Sequence, residues 1–383
     1  MQTNYDIIII GAGMVGLSLA HALADSELSI AIVEAKADEP VWPRDGYDLR
    51  VSAINPHSQQ FFEQLNLWQA IKALRISPFE KMYVWDANSD GNITFDAADD
   101  AKPYLGHIIE NSVIRKTMLD VLPSNVTLLS PITLTAYQPK QLTTATGETL
   151  HANVIVGADG GNSWLRQQAN IAITEHDYQA RAIVATVKTE KPHQCMAYQR
   201  FLTTGPLAFL PLDDSNYCSI VWSAKNEEVE RLMALTDTEF EQAITHAFEN
   251  KLGNVSLQSA RPSFPLIAKH AKHYVDEGLA LIGDAAHTIH PLAGLGVNLG
   301  FADAKCLADT INTALQSDRN HAAKQVLRKY ERARKADNVI TQKTMTAFDK
   351  LFSSNNALAT LRGSGLNLTD KCQVLKTAFT QVI

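Results

Sequence analysis

Residues 281–298 read LIGDAAHTIHPLAGLGVN: an apolar run, a carboxylate, two histidines three apart, and a pair of glycines. Asp284, His287 and His290 together have the types of a two-histidine, one-carboxylate metal site. The same stretch also suits a nucleotide loop, in which backbone N–H groups of residues 294–298 meet an anion at a helix N-terminus. A plain helix cap is the third reading. Pro291 and the glycines favour a loop over a helix that would present both histidines, so no metal is expected here.

The elements that would position such a loop can be read elsewhere in the chain. The start, NYDIIIIGAGMVGLSLAHALADSELSIAIVEA, opens with a strand over residues 5–10 whose continuous apolar run suits a parallel sheet covered on both faces. Gly11, Gly13 and Gly16 follow as GxGxxG. Gly11 serves a tight turn, Gly13 a close approach of pyrophosphate, and Gly16 close helix–strand packing. Leu17, Ala20, His21 and Ala24 recur at helical spacing, and a second strand over 29–33 ends at Glu34, an acid placed to accept from a ribose. Strand, turn, helix, strand and acid in this order predict dinucleotide binding, without separating NAD from FAD.

A second turn, NVIVGADGGNSWLR (153–166), runs from a short strand at 154–156 through Asp159 and Gly160 to a helix start at Asn162 or Ser163. Taken alone it reads as a capped strand-to-helix connection. The opening stretch supplies a third: a strand at 279–282, then Gly283 and Asp284, then a helix from about Val297. Asp284 there can accept from ribityl or ribose hydroxyls, and the N–H groups of Gly294 to Asn298 would stabilise the negative charge a reduced flavin gathers.

These three motifs in this order resemble the class A flavoprotein aromatic hydroxylases, and more narrowly the ubiquinone-biosynthesis hydroxylases. The narrower likeness rests on DLRVSAIN (48–55), LGHIIENSVI (105–114), GPLAFLPL (205–212), YCSIVWS (217–223), LRKYERARKADN (327–338) and LFSSNN (351–356), and covers essentially the whole chain. Within that group it is most similar to the polyprenylphenol hydroxylases acting at ring carbon 5, around ENSVI, GGNSWLR and DYQARAIVATVKTEKPH.

The resemblance implies FAD, with NAD(P)H or another electron donor as reductant, and O₂ adding at flavin carbon 4a before oxygen transfer to the ring. Gly11, Gly13, Gly16 and Glu34 would hold the ADP half. Arg50 would lie near the phosphates or the flavin edge, and Arg115 occupies a position where many relatives place a cofactor-binding arginine. Asp159 and Gly160 belong to the motif linked to both FAD and NAD(P)H. Asp284 would bind the ribityl–pyrophosphate region, and Pro291, Gly294, Leu295, Gly296, Val297 and Asn298 would line the isoalloxazine. Leu295 stands where this family usually has Gln. No catalytic base is legible.

As partners the resemblance implies a polyprenylated phenol and O₂. It leaves room for a ubiquinone-biosynthesis protein complex, a homo-oligomer, and peripheral contact with the inner face of the membrane from the cytoplasm. Three rival readings are a sibling hydroxylase acting at another ring position, an NAD-linked dehydrogenase using only the first motif, and a non-catalytic flavin-binding subunit.

Composition narrows the field. At 383 residues, 45% hydrophobic and 20% charged, the chain is globular with a large core. A net charge of −7 and no basic run disfavour nucleic acid. Cys195, Cys218, Cys306 and Cys372 lie far apart, as reduced thiols would. Residues 7–24 lack charged side chains, but three glycines interrupt them and no basic segment precedes them, so neither a membrane span nor a signal peptide is expected.

The expected fold is α/β: a discontinuous, Rossmann-like FAD-binding domain (1–75, 98–180 and 266–345), a second, mostly antiparallel β-sheet substrate domain (76–97 and 181–265), and a helical C-terminal segment (346–383). Residues 82–96 read as two strands about Asp90-Gly91, and 181–223 as further strands. From about Phe301 the chain reads helical, with breaks near Asn355 and Gly363–Gly365. Residues 370–383 show helical apolar spacing that suits membrane or partner contact. Trp85, Tyr217 and Trp222 read as core before substrate contacts, and His270 and His273 as a solvated face.

Overall fold

The computed structural model describes residues 3–37, 46–289 and 296–353, the last ten of these by backbone alone. Pro291, Gly294, Leu295, His290 and the amphipathic stretch 370–383 lie outside the described residues.

The apolar run of the first motif becomes the strand Asn4–Ile10, and every residue from Ile7 to Ile10 is buried. It pairs in parallel with Ile30–Val33 on one side (Ile7 opposite Ile30) and with Thr149–Gly157 on the other (Ile7 opposite Val154). Burial on both faces explains why this segment needs no polar alternation. The sheet extends through Val126–Leu129 at one edge and Leu279–Leu281 and Val275–Asp276 at the other. The strand expected at 154–156 is nine residues long, because its first half pairs antiparallel with Gln141–Thr144.

The second sheet has nine strands among the described residues. Its pairs are antiparallel except for Met196–Leu202 with Lys81–Asp86. Residues 82–96 do form two antiparallel strands, Lys81–Asp86 and Asn92–Asp96. The long strand Ile173–Thr189 and the strand Ser263–Ala271 both run past the segment limits expected near 180 and 265. A third, three-stranded sheet (Val51–Ile54, Gly106–Glu110 and Ser77–Phe79) has no counterpart in the sequence reading. Its strands are three to five residues long, too short to announce themselves by alternation.

Helices Met14–Ala22 and Gly296–Gln316 pack against each other beside the parallel sheet. The continuous helix expected beyond Phe301 is interrupted before Lys324–Ser353. Asp318 there adopts a left-handed backbone (φ 50°), and Asn320 makes an Asx turn ahead of the restart by accepting from the Ala322 N–H. No described helix is long and apolar enough to cross a membrane.

Candidate functional site

Two of the glycines in the first turn are required by close approach. A Cβ on Gly11 would lie 2.5 Å from the Ala158 carbonyl oxygen, and one on Gly16 would lie 2.2 Å from that of Gly11. Gly13 differs: a Cβ there would meet nothing within 4 Å, because the residue borders an open cavity. It is the N-cap of helix Met14–Ala22 and has no side chain to satisfy the first N–H groups. This is a cradle with unpaired donors and positive helix-end potential, which suits an anion such as a pyrophosphate.

Two further sequence-expected residues converge on the same turn. Glu34 accepts from the Ala12 N–H (2.9 Å) and the Lys36 N–H (3.1 Å), leaving lone pairs on both oxygens. Arg115, from helix Asn111–Asp120, donates to the Ala12 carbonyl at 2.9 Å.

The other motifs border the same cavity. Gly160 lines it and Asp159 does not; Asp159 Oδ2 accepts from the Leu165 N–H at 3.1 Å, while Oδ1 is buried without a partner among the described residues. The turn therefore does the capping work that its residues suggest when taken alone. Asp284 sits in the turn Gly283–Ala285 and borders the cavity. It is accessible from the cavity but walled by protein elsewhere, so burial raises its carboxyl pKa against the opposing pull of His287 and Arg50. Arg50 also lines the cavity and lies over the Phe264 ring at 5.5 Å. Gly296 and Val297, at the start of helix Gly296–Gln316, complete that wall.

Asn298 is buried and turned away to a structural task. Its amide donates to the Ala53 carbonyl (2.7 Å) and its oxygen accepts from the Asn55 N–H (3.2 Å), tying the helix start to the strand that carries Arg50 into place.

His287 does not join Asp284. Its Nε2 donates to Asp303 at 2.5 Å, and both side chains are buried. Asp303 also accepts from the Gly283 N–H (3.0 Å), from Arg334 (2.8 Å) and from Asn338 (3.4 Å). One carboxylate thus pins the Asp284 turn to two helices. Arg166 adds a second tie, donating to the carbonyls of Ala285 (2.8 Å) and Gly161 (2.9 Å). Neither residue stood out in the sequence, since the partners of Asp303 are 16 to 35 positions away and the bond from Arg166 to Ala285 spans 119. The only available signal was a charged type at an otherwise apolar helical position.

His270 is not on a solvated face. It packs against Tyr274 and His287, and burial, then His287 and Lys335, push its pKa down to about 4. An unfolded histidine titrates near 6.5, so the unfolded state binds more protons between those values. Stability is therefore expected to fall as pH drops from about 6.5 to about 4. Thermal melts across that range should show this slope, and His270→Phe should flatten part of it. Trp85 and Trp222 are core residues of the second sheet, and the Tyr217 ring lies tilted against that of Tyr47.

The cavity measures about 570 Å³. From Gly13, Arg50 and Asp284 it continues over one face of the second sheet, where Val184, Ala208, Leu210 and Val221 make an apolar floor.

Residues 133–345 match the family model described as an FAD binding domain. The 3-demethoxyubiquinol 3-hydroxylase of Escherichia coli (strain K12) is 36% identical over 378 residues, covering 97% of this chain and 96% of that one. The ubiquinone hydroxylase UbiL of Rhodospirillum rubrum is 34% identical, covering 98% and 88%. In fold the chain is similar to p-nitrophenol 4-monooxygenase PnpA from Pseudomonas putida DLL-E4, with a TM-score of 0.81 at 16% identity, covering 100% of this chain and 98% of that one.

Proposed function

Because this chain belongs to the FAD-dependent ubiquinone-biosynthesis hydroxylases, we propose that it hydroxylates the ring of a polyprenylated phenol or quinol lying on the apolar sheet face. The observation that supports this most is the single cavity joining the glycine turn and the Asp284 turn to that face. When bound, the flavin supplies the activation of O₂ and the transfer of one oxygen atom into a ring C–H bond; the second oxygen leaves as water, with two electrons drawn from NAD(P)H or another donor.

The roles of the site residues are part of this proposal. Gly13 and the first N–H groups of helix Met14–Ala22 hold the pyrophosphate, Glu34 accepts from the ribose, and Arg115 steadies the turn through Ala12. Asp284 accepts from the ribityl hydroxyls, Arg50 faces it, and the Gly296 and Val297 N–H groups border the ring system. Gly11 and Gly16 shape the turn, Gly160 borders the cavity, and Asp159 supports that border from behind. The cofactor would rest on segments 1–75, 98–180 and 266–345 and the substrate on 76–97 and 181–265. The apolar walls keep water from the reacting atoms.

For the ring position, the activity named for the 36% identical relative, a 3-demethoxyubiquinol 3-hydroxylase, supports carbon 3 of a demethoxyubiquinol in place of the carbon 5 favoured by local resemblance. The test is incubation of FAD-loaded enzyme with NAD(P)H and a demethoxyubiquinol, with the product identified by mass spectrometry and NMR. A gain of one oxygen at carbon 3 is expected; oxygen gained only by a ring lacking earlier substituents would return the reaction to carbon 5. Asp284→Ala should remain folded, because the side chain borders open space. It should bind FAD about tenfold or more weakly, since a hydrogen bond to a charged group is lost. Flavin fluorescence titration checks this.

A further inference from the structure

Strand alternation divides the second sheet into two faces. Tyr198, Leu207, Phe209, Ile220 and Trp222 point one way and pack under helices Asn226–Ala234 and Asp237–Ala247. The opposite face borders the cavity with Val184, Ala208, Leu210 and Val221, and among these apolar residues stand Gln199 and Ser219. Gln199 lies in a cross-strand row with Ala208, Val221 and Val184, so the neighbours along its row are aliphatic. It is 7% exposed, and its side-chain amide makes no hydrogen bond among the described residues. Ser219 is 1% exposed and stands directly opposite Thr186; neither hydroxyl has a partner there.

Buried polar groups without partners are costly in an apolar setting. Ser52, Asn55 and Asn111 are answered within the fold and Arg50 and Asp284 border the cofactor end of the cavity, but among the described residues nothing hydrogen-bonds the side chains of Gln199, Ser219 or Ser223 on the sheet face. Resting on the substrate reading above, we propose that the Gln199 amide hydrogen-bonds a ring oxygen of the phenol or quinol. Ser219 lies on the same floor with its hydroxyl enclosed, so it shapes the surface beside that contact. An amide carries both donor and acceptor, so it can receive a ring O–H and also donate to a ring oxygen. A flat aliphatic floor sets the plane of the ring but not its rotation within that plane. A single polar contact fixes that rotation, and with it the ring carbon that faces the cofactor. Gln199 is thus a specificity-determining residue.

The test uses full-length, FAD-loaded protein and a demethoxyubiquinol with a short prenyl tail. Gln199→Leu and Ser219→Ala should retain wild-type flavin content. Gln199→Leu should bind the probe about three- to tenfold more weakly, the size of one neutral hydrogen bond. It should also raise KM more than it lowers kcat, yield less product per reductant oxidised, and give a mixture of ring isomers. Gln199→Asn, which keeps an amide, should restore part of the affinity. Equal probe affinity, coupling and product pattern in wild type and all three variants would overturn this inference alone. A wild-type enzyme that neither binds nor hydroxylates the probe would overturn the substrate reading and this inference with it.

Discussion

Gly13→Val is expected to give a folded, colourless protein. A Cβ at this position meets nothing within 4 Å, so the branch point of the added side chain displaces no protein atom. It projects into the space that a pyrophosphate would need, beside the unpaired N–H groups of helix Met14–Ala22. Those donors are among the strongest attractions the site offers an anion, and a branched side chain over them blocks the approach. Flavin content after purification should drop below detection while the circular dichroism spectrum and melting cooperativity stay those of the apoprotein. Gly16→Val makes the contrast. Its Cβ would sit 2.2 Å from the Gly11 carbonyl oxygen, so this variant should lose the fold along with the flavin. Full flavin content in Gly13→Val would leave the glycine turn as a packing device only.

Asp303→Ala is expected to be the most destabilising single change in the scaffold behind the cavity. The carboxylate is wholly buried and answers His287, Arg334, Asn338 and the Gly283 N–H. Burial alone would raise its pKa, but His287 and Arg334 outweigh that and hold it below the usual carboxylate range. Removing it takes the carboxylate from a buried imidazole and leaves Arg334 with only Asp337 and Asn338, a loss of about 3–5 kcal/mol when one partner of a buried pair is deleted. The Asp284 turn would lose its anchor at the same time, so FAD affinity should fall together with the melting temperature. Because the folded-state pKa is depressed, this contribution persists above the unfolded value and is lost only as pH falls through the folded one. Denaturant melts of the apoprotein at neutral pH measure the effect. A change below about 1 kcal/mol, the range of exposed pairs, would show that the network is not what holds the turn.

What the sequence determined by itself is the set of features that depend on neighbours in the chain. The glycine turn, its helix and Glu34 fall within about thirty residues, and each proposed role follows from spacing, the absence of a Cβ, or helix-end polarity. Asp284 was legible for the same reason, as an acid at the end of a buried strand. The pairing of the two strands about Asp90-Gly91 also follows from a local turn.

Tertiary structure alone decided which polar residues serve the cavity and which serve the scaffold. Asn298 and His287, in the motif that looked most chemical, are committed to Ala53 and to Asp303. His270, in a lysine-bearing stretch that looked solvated, is packed beneath that same network. Gln199, inside an ordinary strand, is left facing the cavity with its amide unanswered. Periodicity encodes which face of an element is covered, but not what covers it. Hydrogen bonds spanning 16 to 245 positions are specified only when the sheets and helices close on one another.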